Sequence, residues 1–487
     1  MALTRRRLLT RTAAGMALPA LHACTSGAPA PPEPDRGRRV FLHGVASGDP
    51  DQESVVLWSR ATPLTGTAPV HVEWAVYADP FLARRVARGS LTTSARVDWT
   101  VRTLVRGLEA GRSYYYVFEA QGERSPVGRT RTLPPAGVER ARIAYTSCSN
   151  LPFGHFTAYA AMAARDDLDL VLHLGDYIYE YADGEYGSGA RLGRIHAPDR
   201  EILDLADYRE RYAQYRLDPD LQELHRQHPV VAVWDDHETA NNSWRAGAEN
   251  HDAGEGSWPV RKAAAVRAWH EWLPARSGLT QAAPRIWRSF RLGDLVDLIM
   301  LDTRLYGRDR EAAANTDRAV IEDPARTLLG PAQEAWLFDE LRVSRDRGAA
   351  WRLLGQQVMF GQLGGMGDVP ILNTDQWDRY AAARRRVFEH LAGQDIDDVA
   401  VLTGDIHSSW AMDLAPDPFG DGYDAATGRG ALAVEFVTPS VTSPGITAPS
   451  EADARARRAL AGHPHMRYVE LVTHGYVLLD IDRERLQ

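Results

Sequence analysis

Cysteine is nearly absent from this chain of 487 residues: Cys24 and Cys148 are the only two. Two thiols cannot staple a disulfide-built scaffold, so an ordinary hydrophobic core has to hold the fold. Lysine is scarcer still. Lys262 stands alone, and arginine supplies the rest of the positive charge. A net charge of −9 excludes the basic footprint of a nucleic-acid-binding protein. Beyond the first residues no apolar run is long enough to span a bilayer. No internal repeat is visible.

What is present begins at the amino end. Thr4-Arg5-Arg6-Arg7-Leu8-Leu9 leads into a small, mildly apolar stretch up to Ala23. A basic start, a short apolar region and small residues before a cut describe an export signal over residues 1–24. Paired arginines just before two leucines are its twin-arginine form, which carries folded proteins. The twin-arginine export machinery is therefore an expected partner, and the expected location is periplasmic or extracellular. Leu21-His22-Ala23-Cys24 resembles a lipoprotein cleavage box, so Cys24 is either a lipid anchor or lost with the signal. Residues 25–38, rich in Pro, Ala and Gly, read as a linker. Cys148 is then a lone thiol in an exported protein, where a metal ligand explains it better than core packing.

From 39 to 135 the pattern is that of short strands. Segments 54–59, 71–77, 99–105 and 113–120 alternate apolar and polar residues and are broken by Gly, Pro and Asp, which predicts an antiparallel sandwich. The phrase from Leu108 to Tyr116 has the strand-turn-strand look of a fibronectin-type domain, and Thr132-Leu133-Pro134-Pro135 reads as the passage to a second domain, 136–487. There, strands alternate with helices expected over 156–165, 205–215, 260–272, 331–345 and 375–392, which argues α/β layers.

Five apolar runs in the second domain, 141–145, 170–174, 230–233, 351–354 and 399–402, each end in potential metal ligands. These are Cys148 in TSCSN, Asp176 and Tyr179 in GDYIYE, Asp236 and His237 in WDDHE, Gln356 or Gln357 in LGQQ, and Asp405 and His407 in TGDIH. In open α/β sheets the functional crevice lies beyond the carboxyl ends of the strands, so distant segments can deliver their ligands to one point. Hard oxygen donors with one soft sulfur suit a trivalent iron beside a harder divalent ion. Asp235 competes with Asp236, and the glutamines also suit a role tying backbone in place. His173 lies inside its run and reads as a core histidine.

Two metals bridged by a carboxylate hold and polarise a phosphoryl group and acidify a bound water. In order, Cys148, GDYIYE, WDDHE and GDIH resemble the PhoD-like family of alkaline phosphatases and phosphodiesterases, a branch of the metallophosphoesterases related to purple acid phosphatases. The resemblance runs from VASGDP at 45–50 through Leu301-Asp302-Thr303-Arg304 and Leu329-Gly330-Pro331 to 435–444. It implies an α/β fold of two mixed sheets flanked by helices, preceded by a small all-β fibronectin-like domain. It implies Fe³⁺ on Cys148, Asp176, Tyr179 and His407, and Ca²⁺ on Asp176, Asp236 and Asp405. His237 would be the proton donor or a phosphate ligand; Asn150, Asn241, Asn242 and Arg304 would contact the ligands or the substrate. The superfamily's Asn-His pair is Asp236-His237 here, the first His of its GHxH motif is Asp405, and its middle-strand His is Gln356 or Gln357. Each change brings in oxygen, which moves the second metal from zinc towards calcium.

The implied activity is an exported phosphoester hydrolase, acting on mono- or diesters by in-line attack of a metal-bound oxygen. No serine nucleophile is needed. The same ligands would serve a phospholipase-type or cell-wall phosphodiesterase, with selectivity in loops 181–204 and 308–326. A non-catalytic, metal-stabilised surface binding protein is a third reading, against which His237 argues, since pure binding needs no proton donor. An iron oxidoreductase would want two histidines and one carboxylate, a pattern these spacings do not offer.

Overall fold

Runs of Val, Leu and Ala bounded by turn residues make strands buried on both faces. In the computed structural model, Leu170–His173 and Pro229–Ala232 have every side chain buried. They run parallel to each other and to Arg140–Thr146. Residues 39–276, 285–312, 317–364 and 375–487 are described; the export signal, the linker and Cys24 lie outside them.

These three strands sit inside a first sheet of seven, in the order Val477–Asp482, Arg140–Thr146, Leu170–His173, Pro229–Ala232, Val45–Gly48, Ser54–Arg60, Thr100–Arg106. A second sheet of seven is built around four parallel strands, Val296–Met300, Trp351–Gly355, Val399–Thr403 and Ala433–Val437. One continuous core joins Val171, Leu172 and Leu174 of the first sheet to Leu298, Leu353 and Leu402 of the second. Tyr145 Oη also donates to the Phe436 carbonyl at 2.9 Å across the two sheets.

Helices close both outer faces. Leu205–Tyr215 takes the bounds its sequence predicts because Asp204 accepts from the first free N–H groups, those of Ala206 and Asp207. Pro219–Gln227 starts with Pro after a capping Asp218. These two and Trp258–Trp272 pack on the first sheet, and Pro331–Asp346 and Ala381–Gly393 pack on the second. Residues 375–392 are predicted as one helix; the structure opens with a 3₁₀ turn, Trp377–Tyr380, before the α-helix.

The amino-terminal region is all β apart from one 3₁₀ turn, Ala95–Val97. Val70–Tyr77, Arg85–Thr93, Ser113–Ala120, Glu123–Arg124 and Gly128–Arg131 form a five-stranded sheet. A core of Val55, Leu57, Val72, Val101, Tyr116 and Phe118 lies between it and the strands at the far end of the first sheet. The two regions therefore share the first sheet: Ser47 and Gly48 pair in parallel with Pro229 and Val230. Local composition marks where the chain passes on, at 132–135, but pairing between segments so distant in sequence leaves no periodic trace.

Candidate active site

Each ligand-bearing loop leaves the carboxyl end of a central strand. Cys148 follows Arg140–Thr146, Asp176 follows Leu170–His173, Asp235 to His237 follow Pro229–Ala232, and Asp405 and His407 follow Val399–Thr403. The first three strands are neighbours in one sheet and the fourth lies in the facing sheet, so the loops meet at one end of the sandwich.

The backbone bends sharply at these residues. Cys148, Asp176, Asp405 and His407 have φ of 62°, 55°, 66° and 53°. Side-chain-bearing residues there cost about 1–3 kcal/mol each, and such strain collects at functional sites. Gly175, at φ 108°, lets two loops touch, because a Cβ on it would lie 2.4 Å from the Asp235 nitrogen. Cys148 N donates to Gly175 O at 3.1 Å and Ser149 N to Asp176 O at 2.9 Å. The buried Glu238 carboxylate accepts from the N–H groups of Asp176 at 2.9 Å, Tyr177 at 2.8 Å and Asp235 at 2.8 Å.

Three overlapping groups place their ligand atoms within 4.8 Å of one another: Cys148, Asp176 and His407; Asp176, Asp236 and His237; Asp235, Asp236 and Asp405. Asp176 belongs to the first two groups and Asp236 to the last two. Tyr179 joins the first, since its hydroxyl lies 3.0 Å from Asp176 Oδ2 and 3.3 Å from His407 Nε2. Ser443 Oγ donates to that hydroxyl at 2.6 Å. His407 Nδ1 donates to the Pro444 carbonyl at 3.1 Å, which leaves Nε2 as the unprotonated nitrogen facing the Tyr179 hydroxyl.

Charge is crowded here. Burial, then the Asp176 charge, pushes the Cys148 thiol well above its usual range. Burial, with nearby carboxylates adding, raises the Asp176 and Asp235 carboxyls well above theirs. Asp405 is pushed up to about 6, chiefly by burial. Burial works against the Asp236 charge, but Arg304 and His237 hold that carboxyl below the ordinary value. Asp235 Oδ2, Asp236 Oδ1 and both amide atoms of Asn150 are buried without a hydrogen-bond partner. Cations among these groups would relieve the repulsion and complete the pairing. The donor set therefore fits metal ions, with thiolate, phenolate and imidazole at one end and only oxygen at the other.

His237 belongs to the second of these groups. Its Nδ1 lies 2.7 Å from Glu180 Oε2, and its backbone N donates to Asp176 Oδ1 at 3.3 Å. The ring stacks on Tyr179 with centroids 4.3 Å apart. Burial lowers its pKa, but Glu180, Asp236 and Asp176 outweigh that and hold it well above the usual imidazole range. The Glu180 contact at Nδ1 leaves Nε2 as the free end.

The substrate-contact candidates fare differently. Arg304 is wholly buried among carboxylates, bonded to Asp235 and Asp375, 2.6 Å from Asp405 Oδ1 and 3.4 Å from Asp236 Oδ1. Its donors are spent on balancing charge, which sets it behind the acidic group as a support. Asn241 and Asn242 turn their amides to Glu249 at 3.1 and 2.6 Å, and the Asn242 backbone N–H donates to Asp236 Oδ2 at 2.6 Å. Asn150 is buried. Gln356 and Gln357 tie loops: Gln356 Nε2 reaches Val358 O and Thr403 Oγ1, and Gln357 Oε1 accepts from Thr303 N. His173 is a core residue whose Nε2 meets Tyr159 Oη at 2.8 Å.

Four supporting residues escape a reading for ligands. Glu180 and Glu238 orient His237 and the loop backbones, and Asp375 and Gln376 support Arg304 and Asp405. The glutamates close the GDYIYE and WDDHE motifs, which is the available signal; Asp375 and Gln376 give none.

Comparison with known proteins identifies the family. Residues 143–487 match the PhoD-like phosphatase family and residues 26–134 match the PhoD-like phosphatase N-terminal domain. The chain is 39% identical over 442 residues to alkaline phosphatase D of Bacillus subtilis (strain 168), covering 88% of this chain and 73% of that protein. A solved structure of PhoD superposes with a TM-score of 0.83 at 36% identity, over 92% of this chain and 86% of that one. The chain belongs to the PhoD-like phosphatases.

Proposed function

We propose that this chain hydrolyses phosphate mono- or diesters, with ferric iron on Cys148, Asp176, Tyr179 and His407 and calcium on Asp176, Asp236 and Asp405. Bound there, the two ions would polarise the phosphoryl group and acidify a neighbouring water. The protein's own groups supply the rest. Glu180 fixes the His237 ring through Nδ1, so Nε2 is left to protonate the departing alkoxide oxygen. Arg304 offsets the charge of Asp235, Asp236 and Asp405 and keeps them from splaying apart. Buried walls around Cys148 and Tyr179 keep bulk water from the ligands.

The observation that carries this reading is His237, a buried imidazole held by a carboxylate against the carboxylates of Asp176 and Asp236. A site for binding alone needs no imidazole held in this way. General acid help is worth roughly 10²–10⁴-fold and matters most for poor leaving groups. His237→Ala should therefore lose far more rate on alkyl phosphoesters than on nitrophenyl ones, with metal content retained. Equal loss on both substrates would reassign His237 to phosphate binding, and loss of metal would make it a ligand.

We also propose export by the twin-arginine route, supported by Arg6-Arg7 ahead of Leu8-Leu9, with Cys24 as the residue that a lipid anchor would take. Among the described residues no helix is long and apolar enough to cross a membrane. Cell fractionation after Arg6 and Arg7 are both changed to Lys tests this; protein still found outside the cytoplasm removes the signal.

A further inference from the structure

Beside His237 stands an aromatic residue that the mechanism does not use. Tyr186 lies on the loop after Tyr181. Its ring is 10° from parallel to the His237 imidazole, with centroids 6.4 Å apart. It also stacks on Tyr179 at 6.1 Å and meets Tyr181 at 5.5 Å and Phe153 at 5.3 Å. Tyr179 is wholly buried, whereas Tyr186 is partly exposed, so a ligand can reach its ring. Its phenol also stands in the field of the proposed ligands: burial and then the charges of Cys148, Asp176, Asp236 and Asp405 raise its pKa.

The loop is built to hold that ring in place. Asp183 accepts from Ser188 Oγ and from Gly189 N, both at 2.7 Å, and its own N–H donates to Asp199 Oδ1 at 3.0 Å. Gly184 N donates to Gly187 O at 2.8 Å, closing a tight turn around Glu185 and Tyr186. Gly187, at φ 79°, packs so close to Phe153 that a Cβ would come within 2.3 Å of its ring. A partly exposed aromatic residue on a pinned loop comes to a ligand with little ordering cost.

We propose that Tyr186 is a specificity-determining residue whose ring forms the wall of the leaving-group pocket and packs on esters whose alcohol part has a ring or other flat apolar face. This rests on the reading of His237 as the group that meets the leaving oxygen. Stacking contacts of this kind correspond to roughly five- to tenfold in affinity.

The test uses the metal-loaded full chain and two non-hydrolysable probes, phenylphosphonate and methylphosphonate, with binding followed by calorimetry. The wild type should bind the phenyl probe at least about fivefold more tightly. Tyr186→Ala should erase that preference and leave methylphosphonate affinity unchanged. Tyr186→Phe should keep it, because the face and not the hydroxyl makes the contact. No preference in the wild type, or a preference that survives Tyr186→Ala, overturns the proposal. Phosphoester turnover measured in parallel separates the two readings. A wild type that discriminates the probes and hydrolyses nothing sinks the hydrolase and leaves the pocket; one that hydrolyses without discriminating does the reverse.

Discussion

At the scale of single residues, what sets this site apart is that its proposed ligands differ in kind. Cys148, Tyr179 and His407 crowd one side of Asp176, and Asp236 and Asp405 lie on the other. Thiolate and phenolate donate charge into a ferric ion, so ferric iron there should give the folded protein a visible absorption band. Tyr179→Phe should weaken or shift that band while iron stays bound. A calcium-selective chelator should remove activity and leave the colour, because calcium sits in a flexible all-oxygen shell. A colourless, active protein loaded with zinc would falsify the assignment of both ions. Residue identity at the ligand positions is legible in the sequence because each ligand type is rare in its setting: a lone thiol, or a tyrosine three places after a Gly-Asp turn. Arg304 is not, since a buried charge-balancing arginine and a phosphate-binding arginine look alike in one dimension.

At the scale of elements, the site depends on loops that leave neighbouring strands and are then laced together. Glu238 does the lacing between the loop after Leu170–His173 and the loop after Pro229–Ala232. Glu238→Gln puts an amide NH₂ where one set of backbone N–H groups now finds an acceptor, leaving at least one donor buried and unpaired. The loops should loosen and metal affinity should fall roughly ten- to hundredfold, as for other residues that orient ligands from behind. Titration of apo protein with each metal reads this directly, and unchanged affinity would leave Glu238 a packing residue. The parallel strands that carry ligands are legible because each is a continuous apolar run ending in polar residues. Strands Arg288–Leu292, Ser409–Leu414 and Met466–Glu470 are harder to read, since they lie towards the sheet margin, where polar residues break the pattern.

At the scale of the molecule, stability depends on groups that the fold keeps uncharged. His173 in the first sheet is lowered to about 3 by burial. His270, on the helix against the amino-terminal region, is also lowered to about 3, by burial and then by Arg102 and Arg288. The unfolded chain takes up a proton on each near 6.5, and the folded protein refuses it until about 3. Unfolding therefore binds more protons than folding across that window. Each histidine contributes stability that is complete above about pH 6.5 and lost as pH falls, at about 1.4 kcal/mol per pH unit. Denaturant unfolding between pH 6.5 and 4.5 should show this slope reduced by about one proton in His173→Gln and by about one in His270→Gln. The two residues lie on different elements, so the double variant should lose about two. A double variant with the parent's slope would mean that neither histidine is buried neutral. That outcome would also undercut the packing that joins the amino-terminal strands to the catalytic sheet, because His270 O takes the Arg102 Nη1 bond at 2.7 Å across that seam. The seam is the part of the architecture that the sequence conceals most: its strands are visible one by one, while their sharing of a sheet depends on contacts between residues far apart along the chain.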